Sequence, residues 1–299
     1  MKLNMSKFKP INIILALGKR NIIKISDKKY LSLLYKQKCG RKLNLENPQT
    51  FNEKLQWLKL NDRKDVYTTM VDKYEVKKYV ANIIGEEYII PTLGIYNTFD
   101  EIDFEKLPQK FVIKCTHDSG STVICNNKNE FDKKEVKKKI NGALKQNYYY
   151  GSREWPYKNV KPRIIIEKYI TEDSENDLKD YKIFNFNGKS KLIQVDYDRF
   201  KKHKRNLYTT NWDLINLQIE YPNDLEHIIE KPKKLDLMIQ LAEKLAQKVP
   251  YIRTDFYYTG DKIYFGELTL FHGSGFEHFY PESYNNILGN WINIDKSDM

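Results

Sequence analysis

The chain has 299 residues, of which 40% are hydrophobic and 30% charged, with three cysteines and a formal net charge of +11. That is a globular composition, which excludes a disordered chain and allows one large or two medium cores. Cys39, Cys115 and Cys125 form no metal pattern and cannot all pair, which fits a reducing cytoplasm, and the apolar run 11–17 contains Asn12 and is far shorter than the ~20 residues of a membrane span.

The charge excess is complete by residue 45, where twelve Lys and Arg stand against one acid, Asp27. The rest of the chain balances. A solvated basic surface is one reading of residues 1–50. Contact with an anionic membrane face or a lipid-linked anionic substrate, at the inner face of the membrane, is the other. No nucleic-acid module is recognisable, so nucleic acid is not an expected partner. The run lacks a small-residue cleavage site, so no signal peptide is expected.

Residues 30–35 (YLSLLY) predict a short helix. Asn47-Pro48 is a break, and Thr50-Phe51-Asn52-Glu53 fits a capping box opening a helix with Leu55, Trp57, Leu58 and Leu60. Asp72-Lys73 starts a second helix running through Val76, Tyr79 and Val80 toward Gly85. Residues 89–93 read as a short strand. Residues 111–115 and 121–125 read as strands joined by 116–120, residues 131–146 as a Lys-rich amphipathic helix, and 163–170 as a buried strand. Residues 180–186 and 191–195 predict a hairpin around Asn187-Gly188, a strong turn signal. Leu235, Met238, Ile239, Ala242, Leu245, Ala246 and Val249 share one helical face. Residues 251–258 and 262–269 then alternate as strands, with Thr259-Gly260-Asp261 as the turn. The pattern is α+β with antiparallel hairpins, without the regular βα alternation of a doubly wound fold.

That last hairpin brings Arg253, Asp255, Glu267 and Thr269 toward one place. An arginine, two carboxylates and a hydroxyl can hold Mg²⁺ against a triphosphate and set a cation on a transferring phosphoryl group. Two acids on neighbouring strands are also commonplace. Lys114 precedes a turn with Ser119, Gly120, Ser121 and Thr122. Glycine lets the backbone approach phosphate oxygens, successive N–H groups cradle them, and the lysine adds a point charge. No Gly-Lys-Ser/Thr opens a helix here, so this is not a Walker A loop; an ordinary Gly-Ser turn is the alternative. Glu167-Lys168-Tyr169-Ile170 ends a strand, where backbone groups can read an adenine edge, with Glu175 or Asp177 beyond it for the ribose hydroxyls. Charges at the mouth of a core strand are the plain alternative. Alternation can aim Lys182 inward, where it must pair or bind an anion.

The order of these motifs carries more than any one of them. Asp72-Lys73, Lys114 with its Gly-Ser loop, Glu167-Lys168-x-Ile170, Lys182, Arg253-x-Asp255 and Glu267-x-Thr269 together resemble the ATP-grasp superfamily. Phe51-Asn-Glu-Lys54-Leu55-Gln-Trp57 and the stretch from Glu267 through His272 to Gly275 resemble its TupA-like branch, named for teichuronopeptide synthesis and found in bacterial capsule and surface-polysaccharide loci. The resemblance implies two α+β subdomains whose antiparallel sheets clamp ATP, after a helical N-terminal region. The expected division is a basic segment 1–50, a helical stretch 51–100, a lid 101–170 and a metal-binding subdomain 171–299.

By the same resemblance, Lys73, Lys114 and Lys182 are phosphate ligands, and Ser119, Gly120, Ser121 and Thr122 form the closing loop. Glu167, Lys168 and Ile170 become the adenine hinge, and the ribose acid is Glu172, Glu175 or Asp177. Arg253 becomes the transition-state cation, and Asp255 and Glu267 the Mg²⁺ ligands. Thr269 stands where the superfamily usually has asparagine, which leaves one ion or two open. His272, Ser274 and Phe276, just past the metal strand, shape an acceptor pocket, unless they are an ordinary glycine loop. The implied reaction is ATP-dependent ligation of a carboxylate to an amine through an acyl phosphate, on a sugar acid or glycan. The rivals are a glycosyltransferase, for which Asp196-Tyr197-Asp198 is the only metal motif, and a nucleotide-binding scaffold without catalysis.

Overall fold

The computed structural model describes residues 10–170, 178–197 and 203–294. The chain opens with two helices, α1 (Pro10–Lys19) and α2 (Asp27–Cys39). α3 (Phe51–Asn61) follows, and its expected capping box is present: the Thr50 hydroxyl accepts from Glu53 N–H while the Glu53 carboxylate accepts from Thr50 N–H. Two of the orphan donors at a helix start are thereby satisfied. α4 (Val66–Val71) was not legible in the sequence. α5 (Glu75–Ile84) begins three residues after Asp72, whose carboxylate accepts from the N–H groups of Tyr74 and Glu75.

A four-stranded antiparallel sheet follows, in the order β1-β4-β2-β3, from β1 (Thr92–Tyr96), β2 (Phe111–Cys115), β3 (Val123–Cys125) and, later in the chain, β4 (Ile164–Lys168). β1 begins at Thr92 and not at residue 89, because Pro91 has no N–H for the ladder and offers its carbonyl to Lys168 N–H. The sheet therefore reaches back into the stretch 51–100 that was expected to be helical. β3 is shorter than expected because the Ser121 hydroxyl, not its backbone, accepts from Cys115 N–H at 2.8 Å. Between β3 and β4 lie α6 (Lys133–Leu144) and α7 (Tyr149–Ser152).

The second sheet has six antiparallel strands in the order β11-β10-β5-β6-β7-β8. These are β5 (Asp180–Phe186), β6 (Lys189–Tyr197), β7 (Lys204–Tyr208), β8 (Leu214–Ile215), β10 (Tyr251–Thr259) and β11 (Lys262–Thr269). β9 (Gln218–Ile219) pairs separately with β12 (Phe279–Tyr280), α8 (Leu235–Leu245) precedes β10, and α9 (Ser283–Asn290) closes the described chain. Asn187 and Gly188 both have positive φ, at 50° and 80°, as do Gly260 and Asp261, at 53° and 60°. Two consecutive left-handed residues match the twist of the flanking strands, so both predicted hairpins close tightly.

Three cores result. The largest joins α3, α5 and α8 to the six-stranded sheet, with Phe51, Leu55, Val80, Ile183, Met238 and Phe256 all buried. A second lies under the four-stranded sheet, with Phe111, Ile113, Ile140 and Ile164. A third packs α1 and α2 against Phe276 through Leu31, Leu34 and Tyr35. Among the described residues no helix is long and apolar enough to cross a membrane.

Candidate functional site

One face of the six-stranded sheet is polar, and register explains why. Glu267 is opposite Asp255, Asp255 opposite Lys182, and Lys182 opposite Gln194. Directly paired residues share a face. Residues two further along each strand extend that face, with Thr269 opposite Arg253 and Asp180 opposite Asp196. In β10 and β11 the ladder slips by one residue: Asp255 pairs with Glu267 but Phe256 with Phe265, so Gly266 bulges out.

The charges on this face are tightly paired. Arg253 donates to both oxygens of Asp255, at 2.6 and 2.7 Å, and to Glu267 at 3.0 Å. Lys182 is buried and donates to Asp255 at 2.9 Å and to Asp180, with Asp196 3.7 Å away. Burial pushes the Asp255 carboxyl up to about 6, against the pull of Arg253 and Lys182. Glu267 is also raised by desolvation, but Arg253, Lys182, Lys73 and Lys114 together override it and hold the carboxyl down at about 2. Four cations thus act on one acid, Arg253 by direct contact and the three lysines through space, and its side chain is 48% exposed. The Thr269 hydroxyl donates to the same acid at 3.3 Å.

The four-stranded sheet supplies the opposing groups. Lys73 Nζ donates to the carbonyl of Asp118, in the loop after β2. Burial lowers its pKa, while Glu267 raises it. Ser119 and Gly120 are exposed at the tip of that loop, with Gly120 at φ 108°. Ser121 is buried instead, and its hydroxyl donates to Asp118 at 2.6 Å, so it braces the loop from within. Thr122 is exposed and its carbonyl accepts from Lys139 on α6.

Glu167 was expected at the adenine hinge. Its buried carboxylate is gripped by Lys114 and Lys77, each at 2.6 Å. Desolvation would raise this acid, and the two lysines bring it below its ordinary value. In this arrangement its side chain orients the phosphate-side lysine and does not face outward as an edge-reading group. Lys168 is exposed and Ile170 half-buried at the strand end. Glu172, Glu175 and Asp177 lie outside the described residues, as does Asp198 of the rival metal motif. Asp196 of that motif is buried and bound by Arg205 at 2.8 Å.

His272 was expected to line an acceptor pocket, and the structure corrects this. It is buried, with Nδ1 2.7 Å from Arg253 Nη1 and Nε2 2.7 Å from Glu277. Burial lowers its pKa against the pull of Glu277. An arginine only donates, so the neutral ring accepts through Nδ1 and presents Nε2–H to Glu277. Glu277 in turn lies 3.5 Å from Arg205. A closed circuit of charges results, running from Arg253 through His272, Glu277, Arg205, Asp196, Lys182 and Asp255 back to Arg253. Ser274 is half-buried, and its hydroxyl donates to Glu154.

Sequence reasoning missed Lys77, Glu154, Asp180, Arg205, Glu277 and Lys59. Lys77 had a signal: it stands one helical turn after Lys73. Asp180 also had one, two residues before Lys182 on a strand and therefore on its face. Among the described residues no group of three or more His, Cys, Asp or Glu side chains is spaced to hold a metal ion. The donor set at the corner is two carboxylates and a hydroxyl. These are hard oxygens of the kind Mg²⁺ takes when phosphate and water complete its shell, so the residues fit one such ion.

No curated protein sequence matches the chain. Among solved structures, D-alanine–D-alanine ligase from Helicobacter pylori is similar at 14% identity and TM-score 0.43, over 76% of this chain and 61% of that one. D-alanine–D-alanine ligase from Bacillus anthracis is similar at 19% identity and TM-score 0.37, over 74% and 59%. The ADP complex of N5-carboxyaminoimidazole ribonucleotide synthetase is similar at 15% identity and TM-score 0.43, over 73% and 50%. The chain thus spans less than two thirds of each of those proteins. The family model described as TupA-like ATPgrasp matches residues 53–293, and the chain belongs to that family.

Proposed function

We propose that the protein is an ATP-dependent ligase that joins a carboxylate to an amine through an acyl phosphate. The observation that carries this reading is the polar corner of the six-stranded sheet, where Arg253 bonds both Asp255 and Glu267 and Lys182 bonds Asp255, with Lys73 and Lys114 near enough to act on Glu267. The lysines come from both sheets and from the turn before α5, and the acid stands on the strand edge they enclose. Such a cluster suits a triphosphate held between two layers, with residues 101–170 as lid and 171–299 as the metal-bearing subdomain. Glu267, Asp255 and Thr269 would hold Mg²⁺, which supplies charge neutralisation at the phosphates.

In this reading the acceptor carboxylate oxygen attacks the γ-phosphorus, and the P–O bond to the β-phosphate breaks with its electron pair leaving on ADP. An amine nitrogen then attacks the acyl carbon, phosphate leaves with the C–O electron pair, and the amine proton goes to solvent. Lys114 and Lys73 hold the phosphates, Lys182 and Arg253 offset the charge that grows on them, and His272 keeps Arg253 aimed. The exposed tip Ser119-Gly120 closes over the site and keeps water from the acyl phosphate. The likeness to the TupA-like branch favours a uronic acid or other sugar acid of surface-polysaccharide synthesis as the carboxylate, and an amino acid or amino sugar as the amine.

The N-terminal segment supports a second partner. α1 exposes Ile13 and Ile14 beside Lys19 and Arg20, and Ile22 is 63% exposed just beyond it. An apolar face rimmed by lysine and arginine suits peripheral contact with an anionic membrane at the cytoplasmic face. Sedimentation with phosphatidylglycerol vesicles, compared with phosphatidylcholine vesicles, tests that contact.

The ligase reading is tested by release of ADP and phosphate from Mg-ATP with paired pools of sugar acids and amines. Release requires both substrates, and Lys114→Ala abolishes ATP binding. Release of a nucleoside diphosphate from a sugar donor, or full ATP affinity in Lys114→Ala, overturns the reading.

A further inference from the structure

Glu154 is a buried carboxylate, 5% exposed, between α7 and a single helical turn, Trp155–Asn159. Its Oε1 accepts from the hydroxyls of Ser152, at 2.8 Å, and Ser274. Its Oε2 has no hydrogen-bond partner among the described residues. We propose that this carboxylate is the proton acceptor for the attacking amine, reached from the phosphate loop through Tyr148 and Ser274; the inference rests on the ligase reading and names the group that serves its second step.

Connectivity is the first argument. The Tyr148 hydroxyl is hydrogen-bonded to the side chains of Ser119 and Ser274. Ser119 stands at the exposed tip of the closing loop, and Ser274 donates to Glu154. A line of oxygens therefore runs from the loop over the phosphates to the buried acid. Ser274 has one hydroxyl proton and gives it to Glu154, so toward Tyr148 it only accepts. Tyr148 thus donates inward and keeps its lone pairs for the loop side, which is the direction an incoming proton needs. Tyr148 also lines the cavity of about 610 Å³ that Ser119 and Gly120 wall, so its ring borders the space where the loop closes.

Preorganisation is the second argument. Lys59 donates to the carbonyls of Ser152 and Ser274, the two serines that hold Glu154, at 3.0 and 2.8 Å. Tyr157 packs edge-on against Tyr148, with ring centroids 4.8 Å apart. Both tyrosines feel the charges of Glu154 and Glu267, which sets the relay between the metal corner and the buried acid. Burial, then the charges of Glu154 and Glu267, hold the Tyr148 phenol well above its ordinary value. The phenol therefore stays protonated, and it hands a proton on without becoming an anion. In the amide-forming step the nitrogen electron pair forms the C–N bond and phosphate leaves with the C–O pair. The N–H bond breaks as its proton goes to Tyr148 Oη, the Tyr148 proton goes to Ser274 Oγ, and the Ser274 proton goes to Glu154. Glu154 then releases the proton to solvent.

The test uses the full chain with Mg-ATP, D-glucuronate and D-galacturonate as pooled acids, and the amino acids with D-glucosamine as pooled amines. In a parallel series hydroxylamine, which traps acyl phosphates without a catalyst, replaces the amines. Glu154→Gln keeps an acceptor oxygen for the two serines and removes the base. Its amine-dependent ADP release falls about 100-fold or more, and Tyr148→Phe, which cuts the relay at a half-buried ring, loses about tenfold or more. Glu154→Asp restores part of the rate. Hydroxylamine-dependent release and ATP affinity are kept in all three, because the acyl phosphate still forms. Tyr148→Phe carries the test alone should Glu154→Gln not fold. Amine-dependent release at the wild-type rate in Glu154→Gln or Tyr148→Phe overturns the proposal and leaves the ligase reading standing. Equal losses with amines and with hydroxylamine overturn it too, since Glu154 would then serve the fold or the phosphoryl step. A wild type that releases no ADP with either nucleophile overturns the ligase reading itself, and the proton acceptor with it.

Discussion

Glu267 faces Asp255 because Gly266 is left unpaired between β10 and β11. Were Gly266 paired in a regular ladder, Asp255 would oppose Gly266, and Glu267 would oppose Thr254 on the other face of the sheet. The bulge therefore puts two carboxylates side by side at a strand end, next to the cations that hold Glu267 ionised. Glu267→Gln keeps the shape and removes the charge. We expect Mg²⁺-dependent ADP release to fall about 10²–10³-fold, with the melting temperature little changed because the side chain is half exposed. A coupled ADP assay across a Mg²⁺ series measures this, and wild-type turnover in the variant would remove Glu267 from the metal corner.

His272 and Arg253 make the second prediction. His272→Ala takes away the acceptor at Arg253 Nη1, leaving the guanidinium held only by acids that also serve the metal. A misaimed transition-state cation lowers kcat by about 10–100-fold while KM for ATP stays close to wild type. His272→Asn, which can place an amide oxygen near the former Nδ1, restores part of the rate. An equal rise in KM and fall in kcat for both variants would point to a general loss of structure.

Much of this corner was legible because strand alternation and motif order are local properties. Arg253, Asp255, Glu267 and Thr269 could be placed on one hairpin from their spacing and a Gly-Asp turn. The bulge at Gly266 could not, since a slip of one residue leaves no mark in the alternation of β11 alone. His272 was misread for a related reason. Gly273 and Ser274 both adopt positive φ, at 52° and 54°, and this turns the chain so that the ring points back to Arg253 and not into a pocket. Lys77 meets Glu167 only when α5 packs beside β4, ninety residues later in the chain.

Gly275 is the tightest point of that loop. It has φ 67°, and a Cβ there would lie 2.4 Å from Gln56 Nε2 and 3.0 Å from Leu55 Cβ. Gln56 also donates to the carbonyls of Ser274 and Gly275, so it cannot move aside without losing both bonds. Gly275→Ala should cost about 2–4 kcal/mol, from the left-handed backbone and the overpacking together. Urea unfolding measures it. A loss below about 1 kcal/mol would mean that the loop relaxes freely against α3.

Lys59, on α3, gives a prediction that depends on pH. It is fully buried, and its Nζ donates to Gln56 Oε1 and to the carbonyls of Ser152 and Ser274 at 2.8–3.0 Å. Burial lowers its pKa to about 8, with Glu154 pulling the other way. An unfolded lysine titrates near 10.4. Between those two values the unfolded chain carries more protons, so unfolding takes up a proton and stability rises with pH. Below about pH 8 both states are protonated and the contribution is flat at its low value. Lys59→Met is less stable throughout, because three oxygens lose their donor, and it lacks this slope. The wild type should therefore gain on the variant by up to roughly 3 kcal/mol between pH 7.5 and 10.5. Urea midpoints at pH 7.5, 9 and 10.5 test the sign, and a constant difference between the two proteins would show that Lys59 stays charged in the fold.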